Sequence, residues 1–210
     1  MAKPSSKTAI ANLALGHMKI DPVVSIDPPD SDSKAAQSAE KWYDQARRDT
    51  LEAHPWNFAS KRISVASEAT TPAFEYTKKY QLPPDFIRVN RVGELWQDPV
   101  TDFEIEDGYI LCDETSPLKL CYVYNIEDVS KFSPKFITAL SSKLAAFMAY
   151  EMTGNASLVE AMENQYERAL TSAASVDGQN RPTRRVQRSK RRDARKNVGR
   201  YRNWQSWGSD

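Results

Sequence analysis

The sequence predicts an α+β protein, a helical bundle with an inserted antiparallel β-domain and an extended basic C-terminal arm. Three observations lead there: capped segments of helical periodicity at both ends of the first 177 residues, short alternating segments between them, and a sharp change of charge after residue 177. The whole chain has 210 residues and a formal net charge of +1. That near-neutral total hides an asymmetry. Residues 178–210 hold eleven Lys/Arg against two Asp/Glu, a net +9, whereas the preceding 177 residues hold eighteen against twenty-six, a net −8. An acidic body with a cationic extension points to a negatively charged partner, either a nucleic-acid backbone or an acidic protein surface, including copies of its own body.

The first helix is expected from Ser6 to about His17, with a serine available as its cap and Ile10, Leu13, Ala14 and His17 on one face. Pro22, Pro28 and Pro29 among Asp and Ser then make Asp21 to Ser33 a surface connection. A second helix begins at Ser33, with Ala35, Ala39, Trp42, Ala46 and Thr50 as its stripe, and Pro55 stops it after His54. Residues 1–55 form the N-terminal helices of the bundle.

Residues 56–132 form the inserted β-domain, with strands expected at Lys61 to Val65, Phe86 to Val92, Phe103 to Ile105, Tyr109 to Cys112 and Leu118 to Ile126. Asp107-Gly108 is the strongest local signal, because a two-residue hairpin turn needs positive φ and this pair tolerates it. Leu118, Leu120, Tyr122 and Tyr124 alternate with Lys119, Cys121 and Val123, the pattern of a partly buried strand. Leu82-Pro83-Pro84-Asp85 is expected to lead into the Phe86 strand as rigid, extended chain.

Residues 133–177 return to helix. Ser133 is the expected cap with Pro134 at the first helical position, and Phe136, Leu140, Leu144 and Phe147 form a stripe ending near Thr153-Gly154. Asn155 caps the last helix, whose inner face is Leu158, Met162, Tyr166, Ala169 and Ala173. Residues 178–210 form the arm. Pro182, like-charge repulsion and the lack of apolar periodicity, with almost nothing to bury before Trp204 and Trp207, predict that it is extended or disordered in the isolated subunit.

No stretch reaches the roughly 20 apolar residues that span a bilayer, and Met1 to Thr8 lacks the apolar run of a secretory signal, so a chain made and assembled in the cytoplasm is expected. Cys112 and Cys121 fall on segments that can be neighbouring strands, but reduced packing residues are the expectation in that compartment. His17, His54, Cys112 and Cys121 show no paired ligand spacing, so no metal site is expected. Neither a Gly-rich phosphate loop nor a nucleophile elbow is visible, and no cofactor is expected.

Asp98, Asp102, Glu104, Glu106 and Asp107 cluster around the hairpin. Two carboxylates can hydrolyse glycosidic bonds such as those of peptidoglycan, but nothing here indicates a cleft or a raised pKa, and solvated strand faces are commonly acidic. His54-Pro55-Trp56 can be mistaken for a site; helix-terminating packing explains it, with Trp56 and Phe58 filling the junction to the sheet.

Read in order, these landmarks resemble the tail tubular protein A family of short-tailed bacteriophages. The likeness runs through Leu13-Ala-Leu-Gly16, Ile20 and Ser25-Ile-Asp27, then Tyr43, Arg47 and Leu51, His54-Pro-Trp-Asn-Phe-Ala59 and Arg62. It continues at Tyr80-Gln-Leu82-Pro83, Asp85, Arg88-Val89, Phe136, Leu140, Leu144-Ala145 and Thr153-Gly154. The specific part is His-Pro-Trp-Asn-Phe-Ala followed at the right distance by Tyr-Gln-Leu-Pro.

The resemblance implies a virion structural protein without enzymatic activity. It would be a head-to-tail adaptor forming a homo-oligomeric, dodecameric ring between the phage portal protein and the tail nozzle, with viral DNA passing through the lumen unbound. Its arm would order over an acidic portal groove, with Arg181, Arg184, Arg185, Arg188, Arg191 and Arg192 bonding carboxylates bidentately and Tyr201, Trp204 and Trp207 anchoring the end. The arginine density from Arg181 to Arg202 exceeds the family's general pattern. A solvated solubility extension is the bland reading of the same segment, and a DNA-binding accessory protein is the rival one, since arginine interleaved with Tyr and Trp also suits phosphate and base stacking.

Overall fold

The computed structural model describes residues 4, 6–30, 32–94 and 99–180. Its architecture is α+β, with four helices and two small antiparallel sheets. Helix α1 (Lys7–His17) is capped by the Ser6 hydroxyl, which accepts from Ala9 N at 3.1 Å. It buries Ile10, Ala11, Ala14 and Leu15 and leaves Leu13 42% exposed. The inward stripe is therefore rotated from the expected one: Leu13 and Leu15 are equally apolar, and only the position of the neighbouring helices decides between them.

Helix α2 (Lys34–Ala53) begins at the Ser33 cap. Ala35, Ala36, Ala39 and Ala46 are buried and bring neighbouring backbones close, while the larger buried side chains are Tyr43, Arg47 and Leu51. Trp42, expected on the inner face, is only half-buried. Its indole N–H reaches Glu151 Oε2 at 3.0 Å and its ring packs on Phe147.

Six strands follow: β1 (Ser60–Val65), β2 (Lys78–Gln81), β3 (Phe86–Val92), β4 (Glu104–Glu106), β5 (Tyr109–Cys112) and β6 (Leu118–Tyr124). They form two three-stranded antiparallel sheets, ordered β1-β6-β3 and β2-β5-β4. β2 was not expected from the sequence. The β4–β5 hairpin turns at Asp107 (φ +46) and Gly108 (φ +79), both in the positive-φ region that such a turn requires.

Strand β6 is the hinge of this arrangement. Leu118, Leu120 and Tyr122 pack in the core between the strands, whereas Val123 belongs to the helical core. Both its faces are thus covered, which is why Cys121 and Val123 are buried although a half-exposed strand was expected. Cys112 and Cys121 sit in different sheets rather than on paired strands, as buried free thiols. The Leu82 to Asp85 segment is a turn, not extended chain: Phe86 N–H donates to Pro83 O at 3.0 Å, and the turn carries the backbone from one sheet to the other.

A 3-10 turn at Val129–Lys131 leads to helix α3 (Pro134–Thr153), which starts at the Ser133 cap with proline in its first turn and ends on Gly154 at φ +64. Eleven of its residues are buried, because α1, α2 and α4 all pack against it. Phe147, on the expected stripe, is half-buried. Helix α4 (Ala156–Gln179), capped by Asn155, lies along α3 and buries Met162, Ala173 and Asp177. Gly178 is helical, so regular structure continues past the charge boundary at residue 177.

Candidate functional site

The motif residues His54, Pro55, Trp56 and Phe58 occupy the passage from α2 to β1. A helix ends with unpaired carbonyls, and here two of them are satisfied by side chains from outside the helix. Trp56 Nε1 donates to Thr50 O at 2.8 Å and Arg88 Nη1 to Glu52 O at 2.8 Å. The Trp56 ring is fully buried against Phe136 (centroids 5.1 Å, 81°), and Phe58 meets Phe136 at 5.0 Å and Phe132 at 5.9 Å. The two edge-on contacts with Phe136 and the tilted one with Phe132 weld the junction to the start of α3 and the turn before it.

The same junction holds the end of α4. Asp177 is buried, and both its carboxylate oxygens accept from Asn57 N, at 3.2 and 3.1 Å. Asn57 Nδ2 in turn donates to Asp177 O at 2.7 Å, and His54 Nε2 lies 3.4 Å from Asp177 Oδ2. Asp177 is the last acidic residue before the basic segment. The motif between α2 and β1 therefore clasps the point from which that segment departs.

A second cluster joins bundle to sheets. Arg47 is buried, and its Nη1 donates to Asn125 Oδ1 at 2.6 Å and Ile126 O at 2.7 Å, just beyond β6. Its Nη2 pairs with the exposed Asp44 at 3.3 Å. Asp85 accepts from Tyr122 Oη at 2.8 Å and from Lys61 Nζ, tying the inter-sheet turn to β6 and β1. Burial alone pushes the Asp85 carboxyl up, but the hydrogen bonds from Lys61 and Tyr122 outweigh it and hold the group below the usual carboxylate range.

Tyr80, Leu82 and Pro83 serve the β-domain core. Tyr80 is fully buried with its hydroxyl donating to Glu114 O at 2.6 Å, and Leu82 N–H donates to Gly108 O at 2.9 Å, locking the hairpin turn. The structure thus brings the motif residues into two groups, one at the junction and one in the sheets. Arg181, Arg184, Arg185, Arg188, Arg191, Arg192, Tyr201, Trp204 and Trp207 lie outside the described residues. Sequence reasoning missed Asp177; its partners are distant in the chain, and its place next to the charge boundary was the only available cue.

Of the hairpin acids, Asp102, Glu104, Glu106 and Asp107 are exposed, and Asp98 lies outside the described residues. Phe103 and Ile105 line an apolar groove of about 560 Å³ beside β3; Glu104 and Glu106 alternate to the opposite side of their strand. Among the described residues no group of three or more His, Cys, Asp or Glu is placed to hold a metal ion, and no helix is long and apolar enough to cross a membrane. Compared with known proteins, the chain matches no family model and no curated protein sequence.

Proposed function

We propose that this protein is a phage structural adaptor: a non-catalytic ring subunit that joins the portal to the tail, leaves a channel for DNA, and holds its neighbours through the helical body and the basic segment. The observation that carries this reading is the clasp on Asp177. A segment of net charge +9 whose first residues follow an anchored Asp177 has one end already placed, which lowers the ordering cost of docking onto an acidic partner. A mere solubilising extension has no need of such a mooring.

Three further features support it. The specific pair of motifs serves packing, one at the α2–β1 junction and one in the core of the sheets, which suits a chain whose work is assembly. The β-domain exposes Phe74 (80%) and Ile105 (47%), apolar side chains suited to contact with the next tail component. The net −8 of the preceding residues suits a lumen that repels DNA phosphates.

The test is capture by purified portal complexes of the full chain and of a chain ending at Asn180, which keeps α4 intact. The account expects capture by the first and its loss in the second, with unchanged thermal unfolding of the body. Equal capture by both removes the docking role. Tight, steeply salt-dependent binding to duplex or single-stranded DNA, without portal capture, favours the nucleic-acid reading instead.

A further inference from the structure

The body carries a second polar feature that the motifs do not explain. Between α1, the 21–33 connection and α2 lies a pocket of about 370 Å³, lined by Lys7, Asp27, Glu40, Lys41, Tyr43 and Asp44. Its two cations are already engaged: Lys7 pairs with Asp27 at 3.4 Å, and Lys41 with Glu151 at 3.5 Å. Glu40 is exposed and has no ion pair among the described residues, while Asp44 shares Arg47 from its own helix.

Tyr43 is the independent sign of a ligand. It is 2% exposed, it lines the pocket, and its buried hydroxyl has no hydrogen-bond partner among the described residues. Leaving such a group unmatched costs about 1–3 kcal/mol, so an unmatched hydroxyl beside a cavity suggests that its partner arrives from outside. Burial pushes the phenol up, so it stays a neutral hydroxyl whose oxygen can accept. Glu40, Tyr43 and Asp44 fall on one face of α2, because positions three and four apart are neighbours on a helix.

We propose that this pocket receives an arginine of the basic segment, residues 181–202, from a second copy of the chain. The guanidinium is planar and carries five N–H donors, which match two carboxylates and a phenol oxygen better than an ammonium does. The lining sums to −1 and the segment is strongly positive, so the two are complementary in charge. The contact is head to tail, and repeated it closes into a ring where the rotation between copies allows. It rests on the self-association proposed above. The segment departs beside the C-terminal end of α2, about 20 Å along that helix from Glu40 at 1.5 Å per residue, a span that about six extended residues cover, so the copy's own segment is the competing occupant that the mixed-label cross-linking below separates from a neighbour's.

The test uses the full chain. Self-association is measured by sedimentation velocity for wild type, Tyr43→Phe, Glu40→Gln combined with Asp44→Asn, and Glu163→Gln as an exposed control on α4. A photo-crosslinking residue at position 40 is then activated in a mixture of heavy-isotope and ordinary copies. Association at least tenfold weaker in the double variant, about tenfold weaker in Tyr43→Phe, and unchanged in the control is expected. Cross-links should join position 40 of one label to residues 181–202 of the other. Tyr43→Phe discards a hydroxyl that the isolated body leaves unmatched, so it should fold as well as wild type. Association indifferent to these changes, or cross-links elsewhere or within one label only, overturns the inference while leaving self-association standing. A chain that stays monomeric overturns both.

Discussion

His54 at the end of α2 and Asp177 in the last turn of α4 lie 3.4 Å apart, imidazole Nε2 against a buried carboxylate. With Asn57 bonding the same carboxylate through its backbone N–H, the contact closes the fold between residues 120 positions apart in the chain. It also sets where the basic segment begins, which makes a structural motif part of the functional account.

Replacing Asp177 should test this anchor. Asp177→Ala leaves the Asn57 N–H without its acceptor and should cost about 2–3 kcal/mol in urea unfolding. Asp177→Asn keeps one acceptor oxygen and should cost less. Amide exchange at Asn57 should accelerate in both, and portal capture should weaken even where the body remains folded.

Arg47 and its neighbour Arg48 make a matched pair. Arg47 is buried and holds Asn125 and Ile126, whereas Arg48 is exposed. Arg47→Ala should cost about 3–5 kcal/mol because it strands buried polar partners, while Arg48→Ala should stay within about 0.5 kcal/mol. Arg47→Met, which refills the volume, should fall between them. Equal effects at the two positions would contradict the assignment of Arg47 as the tie between bundle and sheets.

Half-buried His17 joins three helices: Gln165 of α4 donates to its Nδ1 at 3.1 Å, and its Nε2 faces Ser141 Oγ of α3 at 3.2 Å. That arrangement uses a neutral ring with the proton on Nε2. Burial lowers its pKa from 6.5, so as pH falls through that value the unfolded chain takes up the proton first, and stability is lost below it until the folded imidazole also protonates. The urea midpoint should therefore fall between pH 7.5 and 5.5, and His17→Gln should flatten that decline.

Asp85 acts in a lower window. Its folded carboxyl is held below 3.8 by Lys61 and Tyr122 despite the opposing effect of burial, so its contribution is present above that value and disappears as pH drops through the folded pKa. Asp85→Asn should destabilise the protein at pH 6 and reduce its loss of stability between pH 5 and 3.

Local chemistry made much of the fold legible. Ser6, Ser33, Ser133 and Asn155 cap the four helices as their side chains suggest, and Asp107-Gly108 turns the hairpin. Strand β2 escaped notice because Lys78-Lys79-Tyr80-Gln81 shows one buried residue among polar ones; pairing with β5, not its own composition, makes it a strand. The outward turn of Leu13, the burial of Arg47 and the His54–Asp177 contact depend on chain segments far away in sequence. The two motifs were visible as packing residues, but not the anchor that one of them forms.

Electron microscopy of the purified full-length protein, alone and mixed with portal complexes, tests the central claim most directly. The adaptor account predicts rings with a central channel that stack coaxially on the portal. Single subunits that neither close into rings nor associate with the portal would contradict it.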